Sequence, residues 1–542
     1  MKNYLENIFR HLSHRLDFIE GEEVSFTYVD NPKFGDLSTN IAMKLSGKLK
    51  KNPRVIAQEI IDNIEFDPQV ISKIEVAGNG FINFTFAQNF LANVIKTIHE
   101  EKDEFGRSKK YLGKNAQVEF VSANPTGPLT VGHGRNAVIG DTVANMLEFI
   151  GYNVSREYYF NDAGRQMRIL GDSVKIRYRQ LLGESVEFPE DYYQGDYIKD
   201  IASDLVKEYG NKLLDEDPEG IFKQRAKDAI FLDIQNALAR LNIFMDSFYN
   251  EHSLYTEGRI ENLIKILKEK NLVYEKDNAI WLKLSELGNE QDKVIIKSTG
   301  EPTYRLPDIA YHITKFERNY DLIVDLFGSD HNATYPDVLA TCKSLGYDTD
   351  KVRVLIHQFV TIMDKGEVVK MSTRKANYIT LDELTTQVSA DVVRYFFNMR
   401  SMTSHLNFDL DLAKKQTDEN PVFYLQYAHA RISSILRMVK EQNISSSFSN
   451  LNLLNSKSEI ALLKTLNRFS DEMLYAAEQY EPHRVCAYLE DLASKFHAFY
   501  NECRIIGSEK NLAEARIALI VAVKIVLNNG LRLLKINAPE RM

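Results

Sequence analysis

From Gln117 onward the chain reads as strand, loop and helix in direct succession: VEFVSA, then NPTGPLTVGHGR, then NAVIGDTVANMLEFIG. The same order returns further on, where an apolar run at 321–327 is followed by GSDH and a helix-like stretch ending near Leu345. Strands that feed helices in this way build a parallel α/β sheet, and such sheets bind ligands in the crevice at the carboxyl ends of their strands. At 542 residues the chain is too long for one ordinary core and calls for about three domains. Residues 1–110 mix helical patterning with a strand at 80–86, GFINFTF, whose alternation sets Ile82, Phe84 and Phe86 against Phe81, Asn83 and Thr85. One face is core. The other offers a ring beside an amide, suited to stacking on an unpaired base, although Phe81 could equally cover the sheet. An interval at roughly 171–272 reads as a mostly helical insertion. From Leu381 helix periodicity dominates, with Leu462, Leu466, Phe469 and Met473 at steps of three and four, and Val485, Leu489, Leu492, Phe496 and Phe499 likewise.

Composition narrows the class. Hydrophobic residues make up 44% and charged residues 26%, which favours neither disorder nor a fibrous repeat. The net charge of −9 argues against a protein that coats nucleic acid nonspecifically, so an RNA partner has to be met by local basic patches. The run Lys44, Lys48, Lys50, Lys51 and Arg54 is one candidate, with a solvated helix face as the commoner explanation of such runs. Cys342, Cys486 and Cys503 lie far apart with no Cys-x-x-Cys pair, so no protein-bound zinc is expected. The apolar stretch at 517–523 falls well short of the ~20 residues that cross a bilayer. Charges also interrupt every apolar run at the start of the chain, so the protein is expected in the cytoplasm with no membrane partner.

The segment 124–135 carries the most chemical information. Its prolines and glycines allow close backbone approach, and the helix after it aims its N-terminal amides at the crevice. His133, between Gly132 and Gly134, stands at that helix start, where nothing bulky blocks a phosphate. Here the chain resembles class I aminoacyl-tRNA synthetases through their HIGH signature, and SANPTGPL-x-VGHGRNAVIGD is similar to the version found in arginyl-tRNA synthetases. Thr130 stands where the family carries its first signature histidine. The second half-signature is met by VVKMSTR, with Lys370, Met371 and Ser372 in place and Thr373 at the family's second lysine, followed by Arg374 and Lys375.

The resemblance implies a Rossmann-like catalytic domain at 111–385 with a helical insertion, an α+β tRNA-binding domain at 1–110 and an all-α anticodon-binding bundle at 386–542. It implies that arginine is activated with Mg²⁺-bound ATP and transferred to the 3′-terminal adenosine of tRNA-Arg, with His133, Thr130 and Lys370 stabilising charge on the phosphates. ATP would contact Gly132, His133, Gly328, Asp330, His331, Lys370, Met371 and Ser372. Asn124, Glu251, Tyr304, Asp308 and Gln358 correspond to residues that hold arginine, and a carboxylate with an aromatic face suits a planar guanidinium. Asp308, just after Pro307, also fits an ordinary first helical turn. Phe81 and Asn83 fall where the family reads a D-loop base. In the helix of NPVFYLQYAHARISSILR, Tyr427 and Arg431 lie four apart and are candidate RNA contacts. A monomer is expected. Two other readings stay open, a class I synthetase or nucleotidyltransferase for a different substrate, and a catalytically silent tRNA-binding relative that kept the fold.

Overall fold

The computed structural model describes residues 1–29, 31–329, 334–369 and 379–542. Lys370, Met371 and Ser372, and likewise Asp330 and His331, lie outside the described residues. At the N-terminus, helices Lys2–Ser13, Ile41–Leu49, Pro53–Asn63 and Gln88–Glu101 accompany an antiparallel sheet. Its strands are β1 (Thr27–Tyr28), β2 (Leu37–Thr39), β3 (Ile71–Ala77) and β4 (Phe81–Phe86), in the order β1-β2-β4-β3. Ile82, Phe84 and Phe86 are buried as their alternation requires. The opposite face is less open than expected: Phe81 is 40% exposed, whereas Asn83 is only 4% exposed. Asn83 sits mid-sheet, level with Ser38 on one side and Glu75 on the other, while Phe81 begins the strand.

The central sheet is parallel throughout. It comprises β5 (Asn115–Glu119), β6 (Asn153–Phe160), β7 (Ser247–Asn250), β11 (Leu322–Gly328) and β12 (Val352–His357), in the order β12-β11-β5-β6-β7. The chain leaves β5 toward β6 and β7 and later returns to the other side of β5, so a crevice opens between β5 and β11. Helix Val131–Phe149 packs over it. This helix is buried nearly all round, as a helix clasped between a sheet and a bundle must be. Contact is close enough that a Cβ placed on Gly140 would lie 2.3 Å from the Phe120 ring.

The insertion holds helices Gly164–Leu181, Asp196–Tyr209 and Lys223–Arg240, as periodicity indicated. The interval read as helical nevertheless contains β7, a central-sheet strand of four residues, too short to show a period. A three-stranded antiparallel sheet follows: β8 (Val273–Lys276), β9 (Ala279–Leu282) and β10 (Lys293–Ile296). Beyond β12, β13 (Val360–Asp364) pairs with β14 (Glu367–Val368) and, in parallel, with β15 (Leu406–Asp409).

Four long helices, Pro421–Glu441, Lys457–Glu478, Pro482–Glu502 and Lys510–Leu533, form the C-terminal bundle. The residues picked out by period, from Leu462 to Phe499, are buried in it. A charged knot ties the bundle's end to helix Val131–Phe149. Arg394 donates to Asp141 (2.7 Å) and to the Leu534 carbonyl (2.5 Å), and Lys535 reaches the other oxygen of Asp141 at 2.8 Å. Burial alone would raise the Asp141 carboxyl, but Arg394 and Lys535 hold it below the ordinary range.

Candidate active site

Helix Val131–Phe149 opens with a capping box, because its polar N-terminal turn has no earlier carbonyls to pair with. Thr130 is the N-cap: its hydroxyl accepts the His133 amide at 3.4 Å, and the Thr130 amide donates to His133 Nδ1 at 3.2 Å. With Nδ1 an acceptor, the neutral ring carries its proton on Nε2. The substitution at the signature's first position thus leaves a threonine that orients the histidine. Val131 and Gly132 lie between them, and Asn136, one turn further on, reaches the crevice. Its Oδ1 accepts the Val121 amide at 2.6 Å, and its Nδ2 donates to the Leu326 carbonyl at 3.0 Å, pinning β5 to β11.

The chain between β5 and the loop is strained. Val121 and Ser122 both have positive φ, 70° and 46°, a conformation that side chains, and β-branched ones above all, resist. The strain turns the backbone sharply at the strand's carboxyl end, where a ligand would sit. Ser122 secures the bend by donating to Glu119 at 2.9 Å. The insertion braces the loop from outside, with the Tyr197 hydroxyl donating to the Thr126 carbonyl at 2.8 Å beside Gly127.

A cavity of about 380 Å³ occupies the crevice. Asn124, Glu251, Tyr304, Asp308 and Gly328, expected from sequence to serve the substrates, all line it. Gln358 is not among its lining residues; its backbone carbonyl instead accepts from buried Arg135 at 2.7 Å. The Arg135 guanidinium also donates to the carbonyls of Ser401 and Ser404 at 3.1 and 3.0 Å, and burial without a carboxylate partner pushes it down to about 10. Asn124 Oδ1 accepts the Asn161 amide at 2.9 Å, and Glu251 accepts from Tyr159 (2.8 Å) and Asn161 (2.7 Å). Burial raises the Glu251 carboxyl and these donors oppose it. Tyr304 is 76% exposed at the rim. Asp308 is pushed up to about 7, by burial first, with Glu251 and Glu119 adding to the effect and His312 opposing it. Among the described residues no lysine or arginine lines this cavity, so its walls are acidic and suited to a cation.

Sequence reasoning missed the floor. Lys315, fully buried, donates to Glu119 at 2.5 Å and to Asp325 at 2.6 Å, and Glu157 receives Gln117, Tyr311 and both arms of Arg318. The available signal was an acid inside an apolar strand, Glu119 in VEFV and Asp325 in LIVDLF, which must find a partner when buried. Outside this cavity, Arg431 stacks over Tyr427 and Tyr500 at 4.8 and 4.7 Å and donates to the Tyr427 hydroxyl at 2.5 Å; both expected RNA contacts remain half-buried on one helix face. The Phe81 strand is a third, separate place. Among the described residues no cluster of three His, Cys, Asp or Glu could hold a metal ion.

A parallel sheet whose topological switch lies under a helix capped by Thr130 and carrying His133 in its first turn is the catalytic architecture of a class I aminoacyl-tRNA synthetase, and residues 95–396 match the family profile for tRNA synthetases class I (R), catalytic domain. Residues 2–86 match the arginyl tRNA synthetase N terminal domain, and 425–542 the DALR anticodon binding domain. The arginine–tRNA ligase of Salinibacter ruber is 50% identical over 562 aligned residues, covering all of both chains, and that of Chlorobium phaeobacteroides is 48% identical over 553 with the same coverage. The chain belongs to the arginyl-tRNA synthetase family. Thermus thermophilus arginyl-tRNA synthetase superposes with a TM-score of 0.78 over the whole of both chains at 20% identity, which speaks to the shared fold.

Proposed function

We propose that the arginine–tRNA ligase activity of this chain, in which arginine is joined to tRNA at the expense of ATP, is carried out at the cavity between β5 and β11. The observation that supports this placement is the acidic wall formed by Glu251 and Asp308, joined by Asn124 and the Tyr304 ring. A guanidinium brings the positive charge these carboxylates lack and can donate a bidentate pair of hydrogen bonds to Asp308. Asn124 and Glu251 would then hold the α-amino end.

The arginine carboxylate attacks the α-phosphorus of ATP, the bond to the β-phosphate breaks, and arginyl-adenylate and pyrophosphate form. His133 would donate Nε2–H to a phosphate oxygen, with Thr130 fixing the ring and the Gly132 backbone leaving room. Gly328 would let the nucleotide approach the end of β11. Lys370, Met371 and Ser372, with Asp330 and His331, keep the ATP roles implied by the resemblance. The 2′-hydroxyl of the tRNA's terminal adenosine then attacks the carbonyl and AMP leaves, with positioning as the main catalytic device. Mg²⁺ would enter with the triphosphate as part of the substrate.

We divide the chain by task at 1–110 (D-loop contact), 111–385 (catalysis) and 386–542 (anticodon contact through Tyr427 and Arg431). Phe81 would provide the stacking surface, with Asn83 supporting it from inside the sheet. A cytoplasmic monomer is our reading, supported as to membranes by the absence, among the described residues, of any helix long and apolar enough to cross one. Sedimentation at the mass of two chains would refute the monomer. The activity assay is arginine-dependent ATP–pyrophosphate exchange with and without tRNA, followed by charging. Charging of citrulline at the rate of arginine would remove the carboxylates from recognition.

A further inference from the structure

We propose that His312 is a positioning residue for the amino-acid site, an imidazolium whose fixed charge and two hydrogen bonds keep Asp308 ready to receive a guanidinium. The inference rests on the reading of Asp308 as the guanidinium acceptor and extends it to a side chain with no assigned role.

His312 is buried and lines the cavity, one helical turn beyond Asp308. Its Nδ1 lies 2.8 Å from the Asp308 backbone oxygen and its Nε2 3.1 Å from Asp325 Oδ2. A carbonyl oxygen can only accept, so Nδ1 must carry a proton. Burial alone would push the Asp325 carboxyl up, but Lys315 and His312 beside it hold it well below the ordinary range, so it too is an acceptor. Both ring nitrogens therefore donate, which only the imidazolium can do.

The charges around the ring agree. Glu119, Glu251, Asp308 and Asp325 face the cavity or its floor, and Lys315 and His312 oppose them, with Tyr311 between. Four carboxylates against two cations leave a deficit of two, which arginine, bringing a guanidinium, an ammonium and a carboxylate, reduces to one. With a neutral imidazole the deficit would be three, an imbalance that a buried site disfavours. The Glu157–Arg318 pair is closed on itself by two bonds, at 2.5 and 2.9 Å. Because both nitrogens are engaged, His312 acts on the substrate through Asp308. Its field favours the Asp308 carboxylate, while Glu119 and Glu251 favour the acid. The two tendencies leave Asp308 holding a proton part of the time in the empty site, and arginine displaces it.

The test is calorimetry of arginine binding to the full-length protein in two buffers of different ionisation enthalpy, for wild type, His312→Gln, His312→Lys and Asp308→Asn. Wild type is expected to release about half a proton at pH 7 and almost none at pH 8. In His312→Gln, which can still donate to Asp325, arginine affinity falls at least about tenfold and release at pH 7 grows, since loss of a neighbouring cation raises an acid's proton affinity. The Michaelis constant for ATP stays unchanged, and His312→Lys recovers part of the arginine affinity. Wild-type affinity and proton count in His312→Gln would overturn the proposal, and so would a wild-type count of zero from pH 6 to 8, a measurement that needs no variant to fold. Wild-type arginine binding by Asp308→Asn would instead overturn the reading of Asp308 beneath it.

Discussion

Replacing Asp308 by asparagine should weaken the enzyme for arginine and strengthen the empty protein, and the two effects have separate origins. Asparagine keeps the shape and one acceptor oxygen but cannot pair with a guanidinium charge. Charge-assisted hydrogen bonds contribute about 1.5–3 kcal/mol, which is roughly a 10- to 150-fold rise in the arginine Michaelis constant. In the empty site the carboxyl is lifted from 3.8 to about 7, chiefly by burial. A raised acid means that the folded chain holds a proton which the unfolded chain releases, so its ionisation opposes folding as the pH climbs from about 4 to about 7. At about 1.36 kcal/mol per pH unit, that is at most about 4 kcal/mol, fully expressed above pH 7 and absent below about pH 4. Asparagine removes this penalty. Thermal unfolding without ligand should therefore show Asp308→Asn level with wild type near pH 4 and more stable at pH 8, and saturating arginine should raise the melting temperature of wild type far more than that of the variant. A variant no more stable than wild type at pH 8, with an unchanged Michaelis constant for arginine, would refute the electrostatic reasoning.

Lys315→Met should cost about 3–5 kcal/mol in urea unfolding at pH 7, because Glu119 and Asp325 would be left as buried carboxylates without a cation. In wild type the stability that the depressed Asp325 contributes should be lost as the solution is acidified below about pH 4. Gly140→Ala sets a methyl group against Phe120 and should destabilise by about 1–3 kcal/mol, with a lowered melting temperature and slower pyrophosphate exchange as the His133 helix is pushed off β5. Thr130→Ala removes the cap and should cost about 1 kcal/mol of stability, with Thr130→Ser restoring it; exchange should fall by more than that stability loss implies, because His133 loses its orientation. Phe81→Ala should raise the Michaelis constant for tRNA about 5- to 150-fold, through loss of about 1–3 kcal/mol of base stacking, and leave arginine-dependent exchange at saturating tRNA unchanged.

Local sequence was enough for the strand, loop and helix around His133, because each depends on neighbours within a few residues: apolar β-formers, a proline-glycine turn, then a capped helix. The same holds for the bundle, whose helices are long enough for the period of Leu462 to Met473 to show. Asn124, Glu251, Tyr304 and Asp308 could be named one by one from the resemblance, and only the fold brings them to one cavity. β7 was not legible, since four residues carry no period and the strand exists only because β6 lies beside it. Asn83 misled for a similar reason: alternation gives the face, and only the flanking strands decide whether that face meets water.

What the sequence determined is the chemistry available: a histidine at a helix start, an acid behind a proline, acids set inside two apolar strands. What the tertiary structure decided is which of these share a low-dielectric space. Glu119, His312, Lys315 and Asp325 come from a helix and two strands separated by up to 206 residues, and pairing over such spans follows from strand order, which no local pattern encodes. Burial then gives those pairings their force, since the same ions on the surface would be screened by water and would shift neither each other nor Asp308.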